Sequence, residues 1–275
     1  MPSHRSNKKK TIADYVPGTM KNTTCGRERI MKRKAALIAV IGAAIIHLGM
    51  VSIHADGNDT TENRAFASRF NETALTTLKP VYAPLAEHIT ERFNLADRAG
   101  VGIDIGGGPG DLAVELALRT PRMEWINVDI NPAFSIYVTE RAEKAGVKMR
   151  VSFVQADVHC MPFQDGYADV IVSRGSFQFW DDPKTAFTEL YRVLKPGGTA
   201  FIGRGFSENL SVEKARRIRE RQNGGPSYDV AKTAAEFKRI MAFLCVTDYR
   251  VILPVTSGSE GVNYGIWLVF RKPEH

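Results

Sequence analysis

VGIDIGGGPGD, residues 101–111, is the stretch that decides the fold of this 275-residue sequence. The apolar run at 101–105 predicts a buried strand, the glycines predict a tight turn, and Asp111 begins a helical pattern. Glycines let a ligand approach the backbone, and a helix N-terminus offers free N–H donors and partial positive charge. The stretch therefore predicts a strand–turn–helix unit that binds a nucleotide-like ligand.

Strand and helix patterns alternate outward from this unit. Apolar, β-branched runs predict further strands at 125–130, 151–156, 168–173, 199–203, 246–253 and 264–270. Helical spacing predicts helices at 111–119, 132–145, 183–194, 210–222 and 232–242. This alternation is typical of parallel βαβ units in a sheet that is buried on both faces. Gly258 and Gly261 predict a hairpin before the last strand, which should then run antiparallel.

The segment 63–94 has the apolar spacing of a helix and precedes the first strand. Pro80 and Pro84 interrupt this pattern, and a proline lacks the N–H that continues a helix. We therefore expect a break or kink at the prolines and two helices, which together form an N-terminal helical cap on a domain at 63–275.

Nearly all the excess positive charge lies at the N-terminus. The chain carries a net charge of +7, of which residues 1–34 contribute +8, so that the other 241 residues sum to −1. The near-neutral body disfavours nucleic acid as a partner. We expect the basic leader 1–34 to be disordered.

An apolar run, AALIAVIGAAIIHLGMVSI at 35–53, follows the leader. Basic residues before an apolar core resemble a secretory signal or a membrane anchor at 35–55, which would bring 35–53 into contact with a membrane. The alternative is that translation starts later, for example at Met50. Three scattered cysteines and six histidines match no metal-ligand spacing, so we predict no metal site.

Three acidic residues lie at or near the carboxyl ends of predicted strands. Asp104 stands two residues before the first glycine, Asp129 follows Gly110 by 19 residues, and Asp157 follows the third strand. At these positions, Asp129 can accept both hydroxyls of a ribose and Asp157 an adenine amino group. The loop also matches the dinucleotide pattern G-x-G-x-x-A, so an NAD-dependent oxidoreductase remains an alternative. An acid at Asp104 would, however, repel a pyrophosphate.

Four motifs together resemble the class I S-adenosylmethionine-dependent methyltransferases of the methyltransferase type 11 group. They are DIGGGPG, NVDINP, QADVHCMPFQDGYADVIVSRG and YRVLKPGGTAFIG, in that order between residues 104 and 203. The resemblance implies an α/β, Rossmann-like, doubly wound sheet of seven strands in the order 3-2-1-4-5-7-6, with the last strand antiparallel. It also implies S-adenosyl-L-methionine as the cofactor and methyl transfer as the reaction. The segments outside the core are long enough to cover a small pocket but not to recognise a macromolecule, so we expect a small-molecule acceptor.

The resemblance also implies roles for individual residues. Asp104 would hold the amino group of the methionine moiety, and Ile130 would lie against the adenine. Val158 would offer backbone contacts, and Ser173 would face the methyl group. The complete cofactor site implied in this way is Asp104, Gly106, Gly108, Gly110, Asp129, Ile130, Asp157, Val158 and Ser173.

In-line methyl transfer requires alignment of donor and acceptor more than acid–base help, and a base is needed only for a protonated acceptor. The catalytic candidates are Ser173, Arg174, His159 and Tyr82. Arg174 is a candidate to hold an anionic substrate, and the alternative is a structural ion pair. His159 is the candidate base, if one is used, and Tyr82 is the candidate cap of the pocket. Aromatic residues at 177–180 and Arg204 are further candidates near the acceptor.

The sequence 173–176, SRGS, differs from the Asn/Asp-Pro-Pro-Tyr of relatives that methylate amines and nucleic acids, so those acceptors are disfavoured. A cofactor-binding protein without catalysis, tethered through 35–53, remains a third possibility. S-adenosylmethionine is a cytoplasmic metabolite, which favours a cytoplasmic catalytic domain, although basic residues before an anchor would direct the body outside. The oligomeric state does not follow from the sequence.

Overall fold

The computed structural model describes residues 59–221, 228–253 and 264–274. The predictions for the leader 1–34, for the apolar segment 35–55 and for the turn at Gly258 and Gly261 lie outside these residues.

The strands form one seven-stranded sheet in the order β3-β2-β1-β4-β5-β7-β6. Their bounds are β1 Gly100–Ile105, β2 Met123–Asp129, β3 Val151–Gln155, β4 Ala168–Arg174, β5 Leu194–Gly205, β6 Tyr249–Ile252 and β7 Gly265–Arg271. β7 pairs antiparallel with both β5 and β6, whereas the other pairs are parallel. The predicted fold class, strand order and antiparallel last strand are confirmed.

Seven α-helices of the described residues connect or cover these strands. They are α1 Thr61–Thr73, α2 Lys79–Arg92, α3 Asp111–Arg119, α4 Ser135–Lys144, α5 Pro183–Val193, α6 Val212–Arg221 and α7 Val230–Phe243. Helices α2, α3 and α4 contribute to the apolar cluster on one face of the sheet, and α5 and α7 contribute to the cluster on the other. The sheet is therefore buried on both faces, as the apolar strands predict.

The N-terminal cap consists of two helices, but the prolines do not separate them. A π-helical turn at Ala74–Leu78 joins α1 to α2. Pro80 lies in the first turn of α2, where a missing N–H removes no helical hydrogen bond, and α2 continues past Pro84 to Arg92. The predicted number of helices is right and the predicted position of the break is wrong.

β5 is longer than predicted because it begins at Leu194, directly after α5. The segment 194–198, LKPGG, lies between the predicted helix at 183–194 and the predicted strand at 199–203, and the structure assigns it to the strand. The register between β4 and β5 shifts between Ala168 and Val170, and such a bulge accommodates a proline, which cannot donate a ladder hydrogen bond. β6 is shorter than the predicted 246–253.

The parallel arrangement places the carboxyl ends of β1, β2, β4 and β5 at one edge of the sheet. In open α/β sheets this edge is where ligands bind, at the point where the strand order reverses. Here the reversal lies between β1 and β4, and the glycine-rich loop 106–110 follows β1 at that point.

Candidate functional site

The glycine-rich loop makes a tight turn that other residues would strain. Gly106, Gly108 and Gly110 all have positive φ, at 62°, 54° and 87°. A Cβ on Gly106 would lie 2.3 Å from the Cβ of Ser176. The Gly106 N–H donates to the carbonyl of Val128 at 2.7 Å, which ties the loop to β2. The loop therefore makes the tight turn that the glycines predict, and its contact with a ligand stays a prediction.

Asn127 fixes the loop from below, although the sequence analysis did not single it out. It is buried in β2, and its Nδ2 donates to the carbonyl of Gly108 at 3.1 Å. A Cβ on Gly107 would come within 2.0 Å of Asn127 Oδ1. An amide inside the otherwise apolar strand WINVD was the signal that could have identified it.

Asp104 is a buried carboxylate against the glycine-rich loop. Its residue is 1% exposed, and a Cβ on Gly107 would lie 2.7 Å from its Oδ2. Neither carboxylate oxygen accepts a hydrogen bond from any residue that the structure describes. Burial, with the nearby charge of Asp129, raises the pKa of Asp104 to about 8. A carboxylate in such a place is costly unless a ligand donates to it.

The raised pKa of Asp104 predicts a pH dependence of stability. A folded-state pKa of about 8 against an ordinary 3.8 means that the folded protein binds this proton more tightly than the unfolded chain does. Its contribution to stability is complete below pH 4 and is lost as the pH rises toward 8. We therefore expect Asp104→Asn to gain thermal stability over wild type as the pH rises from 5 to 9.

Differential scanning calorimetry without ligand at several pH values measures this difference. Asp165→Asn is the control, because the Asp165 side chain is 82% exposed. A difference between wild type and Asp104→Asn that stays constant from pH 5 to 9 would contradict the assignment.

Asp129 lies at the end of β2 and also contacts the loop. Its Oδ2 accepts the N–H of Gly108 at 3.0 Å, and its Oδ1 accepts the N–H of Asn131 at 2.9 Å. Burial raises the pKa of Asp129 to about 6, although these hydrogen bonds oppose the shift. A carboxylate oxygen can accept a second donor, so these bonds leave room for hydroxyl groups of a ligand. Ile130 is 39% exposed beside it, available to an apolar surface.

Asp157 is already engaged by His159. Its Oδ1 accepts the His159 N–H at 2.9 Å and lies 2.6 Å from Nδ1 of the ring. Burial acts to raise the pKa of Asp157, but the two hydrogen bonds and the charge of His159 hold it below its ordinary value. Burial acts to lower the pKa of His159, but Asp157, with the charges of Asp181 and Asp182, raises it. The adenine contact of Asp157 and the base role of His159 stay predictions, as does the cofactor contact of Val158, whose side chain is buried in the core.

Ser173 is buried at the end of β4 and bonds to the loop side of the site. Its Oγ lies 2.6 Å from Ser176 Oγ, which donates to the carbonyl of Ile105 at 3.0 Å. This chain links β4 to the residue that precedes Gly106. The structure thus gives Ser173 a part in positioning the loop, and its contact with a methyl group stays a prediction.

Arg174 and Tyr82 meet above the ends of the strands. The Arg174 Cζ lies 5.6 Å from the centre of the Tyr82 ring, and its Nε donates to the carbonyl of Gly205 at 3.2 Å. Burial lowers the pKa of Arg174, while Tyr82 and Asp104 oppose the shift. Burial raises the pKa of the Tyr82 hydroxyl, which therefore stays protonated at neutral pH. The cap thus reaches the site through α2.

The first cap helix also contacts the loop. Phe66 and Phe70 of α1 form an aromatic cluster with Phe134, with ring centres 6.0 to 6.2 Å apart. A Cβ on Gly108 would lie 3.2 Å from the Phe70 ring. Asn131 Nδ2 donates to the carbonyl of Asn63 at 2.9 Å, which fixes α1 to the end of β2. A ligand on the glycine loop would therefore lie between the sheet edge and α1.

The described residues contain neither a candidate metal site nor a candidate membrane span. No three of the side chains of His, Cys, Asp and Glu come together at a distance suited to a metal ion. No helix within residues 59–221, 228–253 and 264–274 is both long and apolar enough to cross a membrane. The segment 35–53 lies outside these ranges.

Comparison with known sequences finds a family described as "Methyltransferase domain", which matches residues 103–202. The demethylmenaquinone methyltransferase of Thermus thermophilus is 38% identical over 100 residues, which are 36% of this chain and 44% of that protein. A ubiquinone/menaquinone biosynthesis C-methyltransferase of Dinoroseobacter shibae is 31% identical over 109 residues, or 39% and 44% of the two chains. The chain thus spans less than half the length of these relatives.

Comparison with solved structures finds a longer match. It is a Methanococcus maripaludis protein assigned to the S-adenosyl-L-methionine-dependent methyltransferases, with 30% identity and a TM-score of 0.67. The match covers 82% of this chain and 99% of that one. An S-adenosylmethionine-dependent methyltransferase of Aquifex aeolicus, at 18% identity and a TM-score of 0.54 over 74% and 97% of the chains, shares the fold.

Proposed function

Because this chain belongs to the class I S-adenosylmethionine-dependent methyltransferases, we propose that it transfers a methyl group from S-adenosylmethionine to a small-molecule acceptor. The observation that carries the proposal is the buried, unpartnered carboxylate of Asp104 against the glycine-rich loop. It requires a donor, and the ammonium group of the methionine moiety supplies both hydrogen-bond donors and a compensating charge. The cofactor would supply an activated methyl group on its sulfonium.

The residues around the loop would bind and orient this cofactor. The glycines would let the methionine moiety approach the backbone of the loop, while Asn127 and Ser176 hold the loop in its tight turn. Asp129 would accept the ribose hydroxyls, and Ile130 would cover the adenine. Binding of this kind supplies alignment, which accounts for most of what a methyl transfer requires.

The same carboxylates disfavour the NAD-dependent alternative. A pyrophosphate on the glycine-rich loop would lie beside Asp104, whose pKa the charge of Asp129 already raises. Two further negative charges there would add repulsion. The comparisons give this alternative no support, since the matched family and relatives are methyltransferases.

Calorimetric titration of the full chain tests the proposal. We expect binding of S-adenosylhomocysteine and no binding of NAD. Incubation with methyl-labelled S-adenosylmethionine and a panel of thiols, amines, phenols and carboxylates would then identify the acceptor atom. Tight binding of NAD without binding of S-adenosylhomocysteine would refute the proposal.

Asp129→Ala tests the ribose contact. Loss of charge-assisted hydrogen bonds to the ribose should weaken S-adenosylhomocysteine binding by about 1–3 kcal/mol. Methylthioadenosine, which keeps the ribose and lacks the amino acid, should lose the same amount. Calorimetry with both ligands measures this, with Asp165→Ala as the exposed control. Affinity that is unchanged for methylthioadenosine would count against the ribose role.

We further propose that the catalytic domain comprises residues 63–275 and works in the cytoplasm, where its cofactor is made. Blotting of cell fractions with a tag at the C-terminus tests this, and recovery of the tag only outside the cytoplasm would contradict it.

A further inference from the structure

Three arginine side chains meet at the carboxyl end of β5. Arg174 of β4 donates Nε–H to the carbonyl of Gly205, and Arg204 precedes that glycine. Arg219 of α6 places its Cζ 4.3 Å from the centre of the Phe206 ring. The Arg204 guanidinium packs on the ring of Tyr228, and the charges of Arg174 and Arg204 both act on Arg219, so the three groups are near one another. We call Arg174, Arg204 and Arg219 the arginine cluster.

Two of these arginines, Arg174 and Arg204, lack a salt-bridge partner among the described residues. Arg204 is only 7% exposed, yet its guanidinium donates no hydrogen bond to a described residue and packs 4.2 Å from the centre of the Tyr228 ring. Burying a guanidinium without an acceptor is costly, so the arrangement calls for an anion.

The three charges also act on one another. Burial, followed by the charge of Arg174 and, to a smaller extent, that of Arg204, lowers the pKa of Arg219 to about 10. Burial, opposed by Tyr228, and the charge of Arg174 lower the pKa of Arg204 in the same way. Mutual repulsion of this kind is relieved when an oxyanion binds between the groups.

Arg174 connects the cluster to the cofactor site. The charge of Asp104 acts on Arg174, and the neighbouring Ser173 is bonded to the residue that holds the loop. The cluster therefore lies at the same edge of the sheet as the glycine-rich loop. Arg204 and Arg219 lie beyond residues 103–202, the part of the chain that the family model matches.

We propose that the arginine cluster binds the carboxylate or phosphate group of the methyl acceptor, which is therefore a small organic anion. The proposal rests on the proposed methyltransferase function and names its substrate class. Guanidinium groups bind both oxyanions through paired hydrogen bonds. An acceptor held in this way would present the rest of its structure toward the cofactor.

Calorimetric titrations with benzoate, phenyl phosphate and neutral benzamide, with and without saturating S-adenosylhomocysteine, test this. We expect one or both anions to bind and benzamide not to bind, and the preferred anion identifies the head group. Arg204→Gln and Arg219→Gln should each lower anion affinity roughly ten- to one-hundredfold. Arg217→Gln is the matched control, because Arg217 is exposed on the same helix and pairs with Glu213.

Several outcomes would overturn the proposal. They are binding of neither anion, benzamide binding as tightly as the anions, and an equal loss in Arg217→Gln. If Arg219→Gln lowers the affinity for S-adenosylhomocysteine but not for methylthioadenosine, the cluster binds the carboxylate of the cofactor instead. That result also overturns the proposal. Thermal unfolding checks that Arg204→Gln folds. Arg219→Gln, at a partly exposed residue, is a second variant that tests the same anion site. If the wild-type protein binds an anion but does not bind S-adenosylhomocysteine, the result contradicts the proposed function and leaves the anion site standing.

Discussion

Gly265→Ala is expected to lower the midpoint of thermal unfolding by roughly 10 °C, the effect of about 4 kcal/mol on a domain of this size. Gly265 begins β7 with φ at 97°, and a Cβ there would lie 1.8 Å from the carbonyl oxygen of Arg204. The clash is with backbone, which cannot move without separating Gly205 from its pairing partner Gly265 in the β5–β7 ladder. The free-energy cost of overpacking and the cost of a left-handed backbone at a non-glycine residue then add to each other.

Gly146→Ala is the matched control for this prediction. Gly146 also has a positive φ, at 71°, but a Cβ on it would meet nothing within 4 Å. It therefore measures strain alone, about 1 kcal/mol. Urea unfolding of both variants gives the difference in free energy of unfolding, which reports the clash. Equal losses in the two variants would show that the β5–β7 ladder tolerates the extra carbon.

Asp104→Asn is expected to weaken S-adenosylhomocysteine binding by about 1.5–3 kcal/mol, roughly ten- to one-hundredfold, because a charge-assisted hydrogen bond is lost. Methylthioadenosine lacks the amino group, so its affinity should stay the same. At pH 8 the ligand-free variant should also be more stable than wild type, because the buried carboxylate is removed.

The loss of S-adenosylhomocysteine affinity and the gain of stability in Asp104→Asn have opposite signs, and this distinguishes a binding role from a structural one. A residue that merely supports the loop would lose stability and affinity together and would weaken both ligands. Calorimetric titration with each ligand and thermal unfolding of the free protein give all three numbers. Loss of stability in Asp104→Asn at pH 8, or an equal loss of affinity for methylthioadenosine, would contradict the assignment.

Local patterns in the sequence determined the parts of the site that neighbouring residues build. The turn at 106–110 and the acids near the carboxyl ends of β1 and β2 were predictable because strand ends and glycine turns have short-range signals. The sheet order came from resemblance and was confirmed. The prediction of a break at Pro80 was wrong because the effect of a proline depends on where the helix starts, and α2 starts at Lys79, which places Pro80 in its first turn.

Contacts between segments that are distant in the sequence could not be predicted from local patterns. Arg219 meets Phe206 only because α6 packs back over the end of β5, which no periodicity indicates. Asp157 has the position of a ligand-binding acid, yet His159, two residues later, bonds to its side chain. Whether this bond forms depends on the side-chain rotamers, which the sequence does not show. The role of Asn127 was not predicted, because the apolar pattern of a strand does not indicate that a buried amide within it supports a loop.

The position of β7 also dictates an order of assembly. β6 joins the sheet only through β7, although β6 is synthesised first. Until β7 is inserted, the open side of β5 presents unpaired backbone groups beside buried residues such as Phe201. Such an edge can pair with another chain, so delayed insertion of β7 would lead to aggregation rather than to a stable intermediate. The yield of refolded protein should therefore fall as its concentration rises.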